Sequence, residues 1–246
     1  MKEYLTFGIS VRGPGHIKTN TPNQDSYIIR HYKDGIIMAV SDGVGSRRLS
    51  DIGSAQVCRS AVKIMREFIY TQSRSDEDKY INFEHLFNLF HAQWKFDLKD
   101  NLPGDCCATV LLCVVTKDKI LFARLGDGCI CSKINGSTVI LSDDKSDSFS
   151  NISNAMHCKF DYGEWEIREI QNVDLEYISL ATDGISDDIK PELYPDFSEG
   201  FVKEYSRYSS RIRNKKLYKL LAEEWPVPMH TDDKTIACLY HIRDCV

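Results

Sequence analysis

Ala39-Val40-Ser41-Asp42-Gly43-Val44-Gly45-Ser46 ends an apolar run, Ile36 to Val40, in an aspartate and two glycines, and an amphipathic segment starts near Ser46 or Ser50. The pattern predicts a strand, a tight turn and a helix, with Asp42 presented at the strand end. Glycine suits such a turn because it tolerates positive φ and lets the backbone come close to a ligand. Asp-Gly is also a common turn dipeptide. The stretch therefore takes its meaning from what recurs elsewhere in the chain.

Upstream, Leu5 to Val11 reads as a strand that Arg12-Gly13-Pro14-Gly15-His16 breaks, and Lys18 to Gln24 reads as a polar loop. Asp25 to His31 resumes the strand pattern. Lys33-Asp34-Gly35 is a hairpin signal, so Ile36 to Ser41 pairs back on it. Downstream, Cys58, Ala61, Val62, Met65, Phe68 and Ile69 recur at helical spacing. A second stripe runs Phe83, Leu86, Phe87, Phe90 and Trp94, after a charged loop at 74–79. Such aromatic stripes are read as core.

After Asn101-Leu102-Pro103-Gly104 the texture turns to β. Ala108 to Thr116 is nearly all apolar, as in a strand covered on both faces. Strands follow at Ile120–Leu125, Cys129–Ile134, Thr138–Leu141, Trp165–Ile170, Tyr177–Ala181 and Ile236–His241. A polar loop covers Ser142 to Asn154. Two short helices are marked by Phe197, Phe201 and Tyr205, and by Leu217, Leu220 and Leu221. Strands, then helices, then strands again predict one α+β domain over residues 1–246.

Composition narrows the function. The 246 residues carry a formal charge of −5, which argues against nucleic acid as a partner. No apolar run approaches the ~20 residues that span a bilayer, and the first residues lack a signal peptide's apolar core. No membrane partner and a cytoplasmic location are expected. Nine cysteines with no Cys-x-x-Cys pair read as buried thiols in a reducing compartment, not as a zinc site. The basic stretch from Arg207 to Lys219 reads first as a solvated helix face and second as a docking surface for an acidic partner.

The chemistry lies in the aspartates. Asp25, Asp42, Asp183 and Asp232 each stand at a strand end, and Asp127 in Leu125-Gly126-Asp127-Gly128 makes a fifth. Carboxylates that converge repel one another unless a cation sits among them. Hard divalent ions with oxygen ligands answer that need, manganese or magnesium better than zinc. Two such ions sharing a carboxylate can activate a water for attack on phosphorus.

Asn23-Gln24-Asp25, Ser41-Asp42-Gly43-Val44-Gly45, Ala108-Thr109, Leu125-Gly126-Asp127-Gly128, Ala181-Thr182-Asp183-Gly184-Ile185-Ser186-Asp187 and Asp232-Asp233-Lys234-Thr235 occur in this order. Together they resemble the PPM/PP2C family of metal-dependent Ser/Thr protein phosphatases, in its compact bacterial branch. The resemblance spans about Phe7 to Tyr240. It implies an αββα sandwich: two antiparallel sheets face to face, with the 51–99 helices outside one and helices within 191–224 outside the other. It implies Mn2+ or Mg2+, two ions held by Asp25, Asp42, the Gly43 carbonyl, Asp183 and Asp232, with Asp42 bridging. A third, weaker ion maps to Asp127, Asp183 and Asp187. The reaction implied is single-step hydrolysis of phosphoserine or phosphothreonine by a metal-activated water, with Asp42 and Asp183 acting through that water. The partners implied are a phosphorylated protein and a cognate kinase.

The sequence also departs from the family. Gln24 replaces an acidic residue found in many members and can still hold a metal-bound water. Val44 stands where eukaryotic members carry a candidate general-acid histidine. Asn20 and its neighbours occupy the region of the phosphate-binding arginine, leaving Arg12, His16 or Lys18 to bind phosphate, and His16 to serve in catalysis. Ser150, Asn151 and Asn154 resemble a loop that approaches the active site. These departures keep two other readings open: a catalytically weak binding or regulatory module, and a phosphatase for a small phosphorylated metabolite.

Overall fold

The computed structural model describes residues 3–73, 81–142, 154–225 and 231–242. Strands β1 (Tyr4–Val11), β2 (Ser26–Tyr32), β3 (Gly35–Ser41), β4 (Val110–Thr116) and β5 (Lys119–Leu125) are followed by β6 (Cys129–Ile134), β7 (Ser137–Leu141), β8 (Glu166–Gln171), β9 (Leu175–Ala181) and β10 (Lys234–His241). They form two antiparallel five-stranded sheets, ordered β1-β10-β9-β6-β7 and β2-β3-β4-β5-β8. Helices α2 (Ser50–Ser73) and α3 (Phe83–Asp97) cover the second sheet, and α5 (Tyr194–Ser206) and α6 (Ser210–Lys219) cover the first. The expected α+β sandwich with helices on both outer sides is the observed one.

The unbroken apolar run of β3 follows from this layering. Side chains alternate along a strand. Ile36, Met38 and Val40 face the other sheet, where they meet Ile130, Ile178 and Leu239. Ile37 and Ala39 face α2 and α3 and pack with Val57, Met65, Phe87 and Trp94. Both faces are dry, so neither phase of the alternation is polar. On the outer side of the first sheet, Cys131, Ile236 and Cys238 pack against Phe201, Val202 and Leu217. Each buried Ile, Leu, Val, Met or Phe among them contributes about 1.5–3 kcal/mol by leaving water. Seven of the eight described cysteines are buried and all eight are free thiols; only Cys158 is exposed.

Two local findings refine the sequence reading. The segment after β1 is not wholly a loop: Pro14–Thr19 forms a short helix, α1. Pro14 fits the first helical turn because its missing N–H has no partner to lose there. The chain leaves α1 through Asn20 at φ 59°, whose N–H caps the His16 and Ile17 carbonyls. The helix after the Asp42 turn begins at Ser50, the later of the two expected starts. Of the polar loop at 142–154, only Ser142 and Asn154 belong to the described residues; Ser150 and Asn151 lie outside them.

Candidate metal centre

Strand register brings the acidic residues to one end. In the β2–β3 hairpin, Ser26 pairs with Ser41, so Asp25 precedes one strand where Asp42 follows the other. In the facing sheet, Ala181 pairs with both Ile236 and Cys129, and Val11 pairs with Lys234. Asp183, Asp232, Asp127 and the α1 segment therefore leave the first sheet at its matching end. The sandwich closes the distance between the two sets. Thr182 Oγ1 donates to Asp25 Oδ2 at 2.8 Å and accepts the Thr235 N–H at 3.1 Å, tying one sheet to the other through the site.

The turns are held by main-chain pairing. Asp42 N–H donates to Thr109 Oγ1 at 3.0 Å, and Thr109 N–H donates to the Asp42 carbonyl at 2.8 Å. Gly43 N–H donates to the Gln24 carbonyl at 3.1 Å, and Gly43 bridges Ala108. Asp183 opens a one-turn helix, α4 (Asp183–Ser186), and its Oδ1 accepts the Gly184 N–H at 2.7 Å. A Cβ on Gly184 would lie 1.9 Å from the Asp233 carbonyl oxygen. That approach of α4 to β10 allows no side chain, so glycine is required there.

The carboxylates act on one another's ionisation. Burial pushes Asp25 up to about 7. Burial, then the charges of Asp232, Asp25 and Asp187, push Asp183 up to about 7. Asp42 rises well above the ordinary carboxylate range through burial, the charges of Asp25 and Asp183, a side-chain hydrogen bond with Asp25, and the charge of Asp232. A protein site that raises three carboxylates together disfavours their ionisation unless positive charge joins them. The donor set, all carboxylate oxygen, is the type preferred by manganese and magnesium. In donor chemistry the residues fit such an ion.

The structure therefore brings together Asp25, Asp42, Asp183 and Asp232, with Asp187 beside Asp183. Asp127 sits in the turn before β6; its neighbour Gly128 and Asp187 line one cavity of 280 Å³. Of the three residues read as phosphate binders, His16 alone has a described contact with the acidic loops. Its Nδ1 lies 2.9 Å from Asp233 Oδ2. His16, Asp232 and Asp233 each place a ligand-type atom within 4.8 Å of the others. The Arg12 guanidinium donates to the Thr21 carbonyl at 3.4 Å, and Lys18 is an exposed residue of α1.

Sequence reasoning gave Asp233 no role, yet it organises the loops. It is 1% exposed. Its Oδ1 accepts the Gly13 N–H at 2.6 Å; its Oδ2 accepts the Gln24 N–H at 2.6 Å and faces the His16 ring. One carboxylate thus joins the start of α1, the residue before Asp25, and β10. Lys234 beside it is 2% exposed and donates to the Asp232 carbonyl at 3.1 Å; burial lowers its pKa. The signal for both was the doubled acid followed by a lysine at a strand start.

Comparison with known proteins follows the same lines. The sequence matches the family profile described as protein phosphatase 2C over residues 12–222. The chain belongs to the protein phosphatase 2C family. A search of the curated proteins gives no match. Among solved structures, the catalytic domain of the serine/threonine protein phosphatase PstP, in complex with two manganese ions, aligns with TM-score 0.63 at 15% identity, covering 98% of this chain and 99% of that one. Serine/threonine phosphatase Stp1 from Staphylococcus aureus aligns with TM-score 0.61 at 13% identity over 99% and 96%. RsbX in complex with magnesium aligns with TM-score 0.57 at 15% identity over 96% and 94%. At these identities the alignments show a shared PP2C fold.

Proposed function

We propose that this PP2C-family protein is a metal-dependent phosphoprotein phosphatase that hydrolyses phosphoserine and phosphothreonine. The observation that carries this reading is the convergence of Asp25, Asp42, Asp183 and Asp232 from two sheets at one partly open site. We assign the ligands as Asp25, Asp42, the Gly43 carbonyl, Asp183 and Asp232, with Asp127 and Asp187 at a weaker third position. Manganese or magnesium bound there supplies Lewis-acid charge and an acidified water.

The chain's own residues do the rest. Asp42 belongs to both carboxylate groups, being influenced by Asp25 on one side and by Asp183 and Asp232 on the other. Thr182 fixes the orientation of Asp25. Asp233 holds His16 at the rim, where the ring can contact the phosphate or donate a proton to the leaving alkoxide. Gln24 is anchored beside Asp25 through its main chain, whose N–H is taken by Asp233 and whose carbonyl accepts from Gly43.

The test is hydrolysis of p-nitrophenyl phosphate and a phosphopeptide panel with and without manganese. Turnover is expected only with added metal. Undiminished activity in excess chelator would sink the proposal. A second reading, a catalytically weak module, is favoured by Val44 and by the placement of Arg12 and Lys18, neither of which has a described contact at the aspartates, and by Lys234 being buried with its ammonium given to the Asp232 carbonyl. Tight manganese binding by calorimetry without hydrolysis of any phosphopeptide selects it.

A further inference from the structure

The two edge strands that flank the open side of the sandwich, β1 and β2, enclose a groove of 560 Å³ with α6 as its third wall. We propose that this groove docks an extended acidic peptide segment of a protein partner. Phe7, Gly8, Tyr27, Arg30, His31 and Arg213 are the lining residues on which the proposal rests.

The charge of the groove is not a reflection of the chain's composition. The chain has 36 acids against 31 bases, yet no acid is among the described residues that line the groove. Helix α6, Ser-Arg-Ile-Arg-Asn-Lys-Lys-Leu-Tyr-Lys, carries five bases and no acid. Arg30 lines the groove, and Arg211 and Lys215 stand beside it on α6 without lining it; all three are exposed and form no ion pair among the described residues. Arg213 is 5% exposed. Its Nε donates to the Tyr205 carbonyl at 2.8 Å and its Nη2 to the Tyr208 carbonyl at 2.6 Å, and its guanidinium lies 4.8 Å from the centre of the Phe7 ring. Those carbonyls hold the group in place but bring no full negative charge. A buried cation without an anion is costly, and an incoming carboxylate offsets that cost.

Shape selects an extended chain. Among the described residues β1 and β2 each have one hydrogen-bonded strand neighbour, so the outer main-chain rim of each, apart from the Gly8 carbonyl that Tyr27 takes, can pair with an added strand. Tyr27 Oη donates to the Gly8 carbonyl at 2.9 Å, and Thr6 Oγ1 lies 2.7 Å from His31 Nε2. These bridges fix the two strands as a preformed floor. β2 starts one residue after Asp25, so the groove runs away from the aspartates along the same strand. Its five lining residues, 27–31, span about 16 Å at the usual rise per residue. An acidic segment seated here would bring a neighbouring phosphorylated residue toward Asp25 and Asp42. Only that last step rests on the phosphatase reading; docking itself is read without turnover.

Fluorescence anisotropy with a fluorescein-labelled octaglutamate peptide tests the groove, at about 0.1 M salt, where charges screen over about 10 Å. Saturable binding is expected. The double variant Arg30→Glu/Lys215→Glu is expected to weaken it by at least about tenfold, since it sets like charges against the ligand. The double variant Arg59→Glu/Arg66→Glu, with both sites exposed on α2, makes the same change in net charge and is expected to leave it within about twofold. Metal-dependent hydrolysis of p-nitrophenyl phosphate should be unchanged in both. No saturable binding, or equal weakening in both variants, overturns the proposal. So does tighter binding of a labelled octathymidylate through Arg30 and Lys215, which would make the groove a nucleic-acid site. If docking behaves as expected but no variant or parent turns over phosphate, the groove stands and the phosphatase reading falls.

Discussion

β3 is bracketed by the same dipeptide at both ends, Asp34-Gly35 before it and Asp42-Gly43 after it. In the first, Asp34 is exposed at the hairpin corner and Gly35, the first residue of β3, is already buried. In the second, Asp42 is half-buried among three other aspartates, with the main chain of the dipeptide locked to Thr109 and Gln24. Their local chemistry is alike. The difference is what the far sheet presents at each end of the strand. At Asp42 it presents Asp183 and Asp232; Asp34 instead shares a surface cavity with Lys33, Arg66 and Glu67.

The comparison breaks most sharply by amide substitution. Asp42→Asn should reduce metal-dependent turnover by at least about 10³-fold, since Lewis-acid stabilisation is worth several kcal/mol and each 1.36 kcal/mol is tenfold. The same variant without metal should melt no lower than the parent, because one of the repelling carboxylates has gone. Steady-state kinetics and a thermal melt check both halves. A fully active Asp42→Asn enzyme would remove the distinction between the two ends.

Asp233→Asn is expected to cost roughly 3 kcal/mol of stability, because charge-assisted hydrogen bonds are strong and an amide cannot accept from Gly13, Gln24 and His16 at once. Its exposed neighbour Asp232 carries no such set of bonds, so Asp232→Asn should change denaturation by less than about 1 kcal/mol while weakening metal binding. Equal denaturant midpoints for the two variants would deny Asp233 its organising role.

The acidic end should also carry a pH signature. Asp25 and Asp183 are raised from the usual carboxylate range to about 7 in the folded protein. Between about pH 4 and pH 7 the native state therefore binds more protons than the unfolded chain, and stability falls as pH rises. The stabilising effect of protonation is fully present below the unfolded value and lost above about 7. Metal-free protein should melt lower at pH 8 than at pH 5, and manganese at pH 8 should raise the melting point again. A metal-free melting point that climbs over this range contradicts the clustering.

The smallest effect belongs to the other corner. Asp34→Asn should change stability by no more than about 0.5 kcal/mol, as for most exposed substitutions. Turnover should stay within twofold of the parent. A large loss there would mean that the hairpin end takes part in function.

Much of the site was legible because aspartates at strand ends announce themselves, and five such motifs, with Ala108-Thr109 in order among them, carried the family resemblance. His16 was marked by its glycine neighbours, but its partner was not. Asp233 looked like one half of a doubled acid, and nothing local distinguished it from Asp232, although one is buried and the other exposed. Helix α1 was read as part of a loop because Gly13-Pro14-Gly15 signals a break. A proline at the first turn and an asparagine at the last start and stop a helix too short to show a period.

The order of strands and helices, the two dry faces of β3 and β4, and the placement of Asp42 at a strand end were set by the chain's own pattern, since side-chain alternation and glycine conformation act over a few residues. The meeting of Asp25 and Asp42 with Asp183 and Asp232 came only from stacking one sheet on the other. So did the burial of Asp233, the lysine at its side, and the basic groove between β1, β2 and α6. Those contacts join residues up to 220 positions apart, and charge or burial at such a distance depends on which surfaces pack together, which no local spacing encodes.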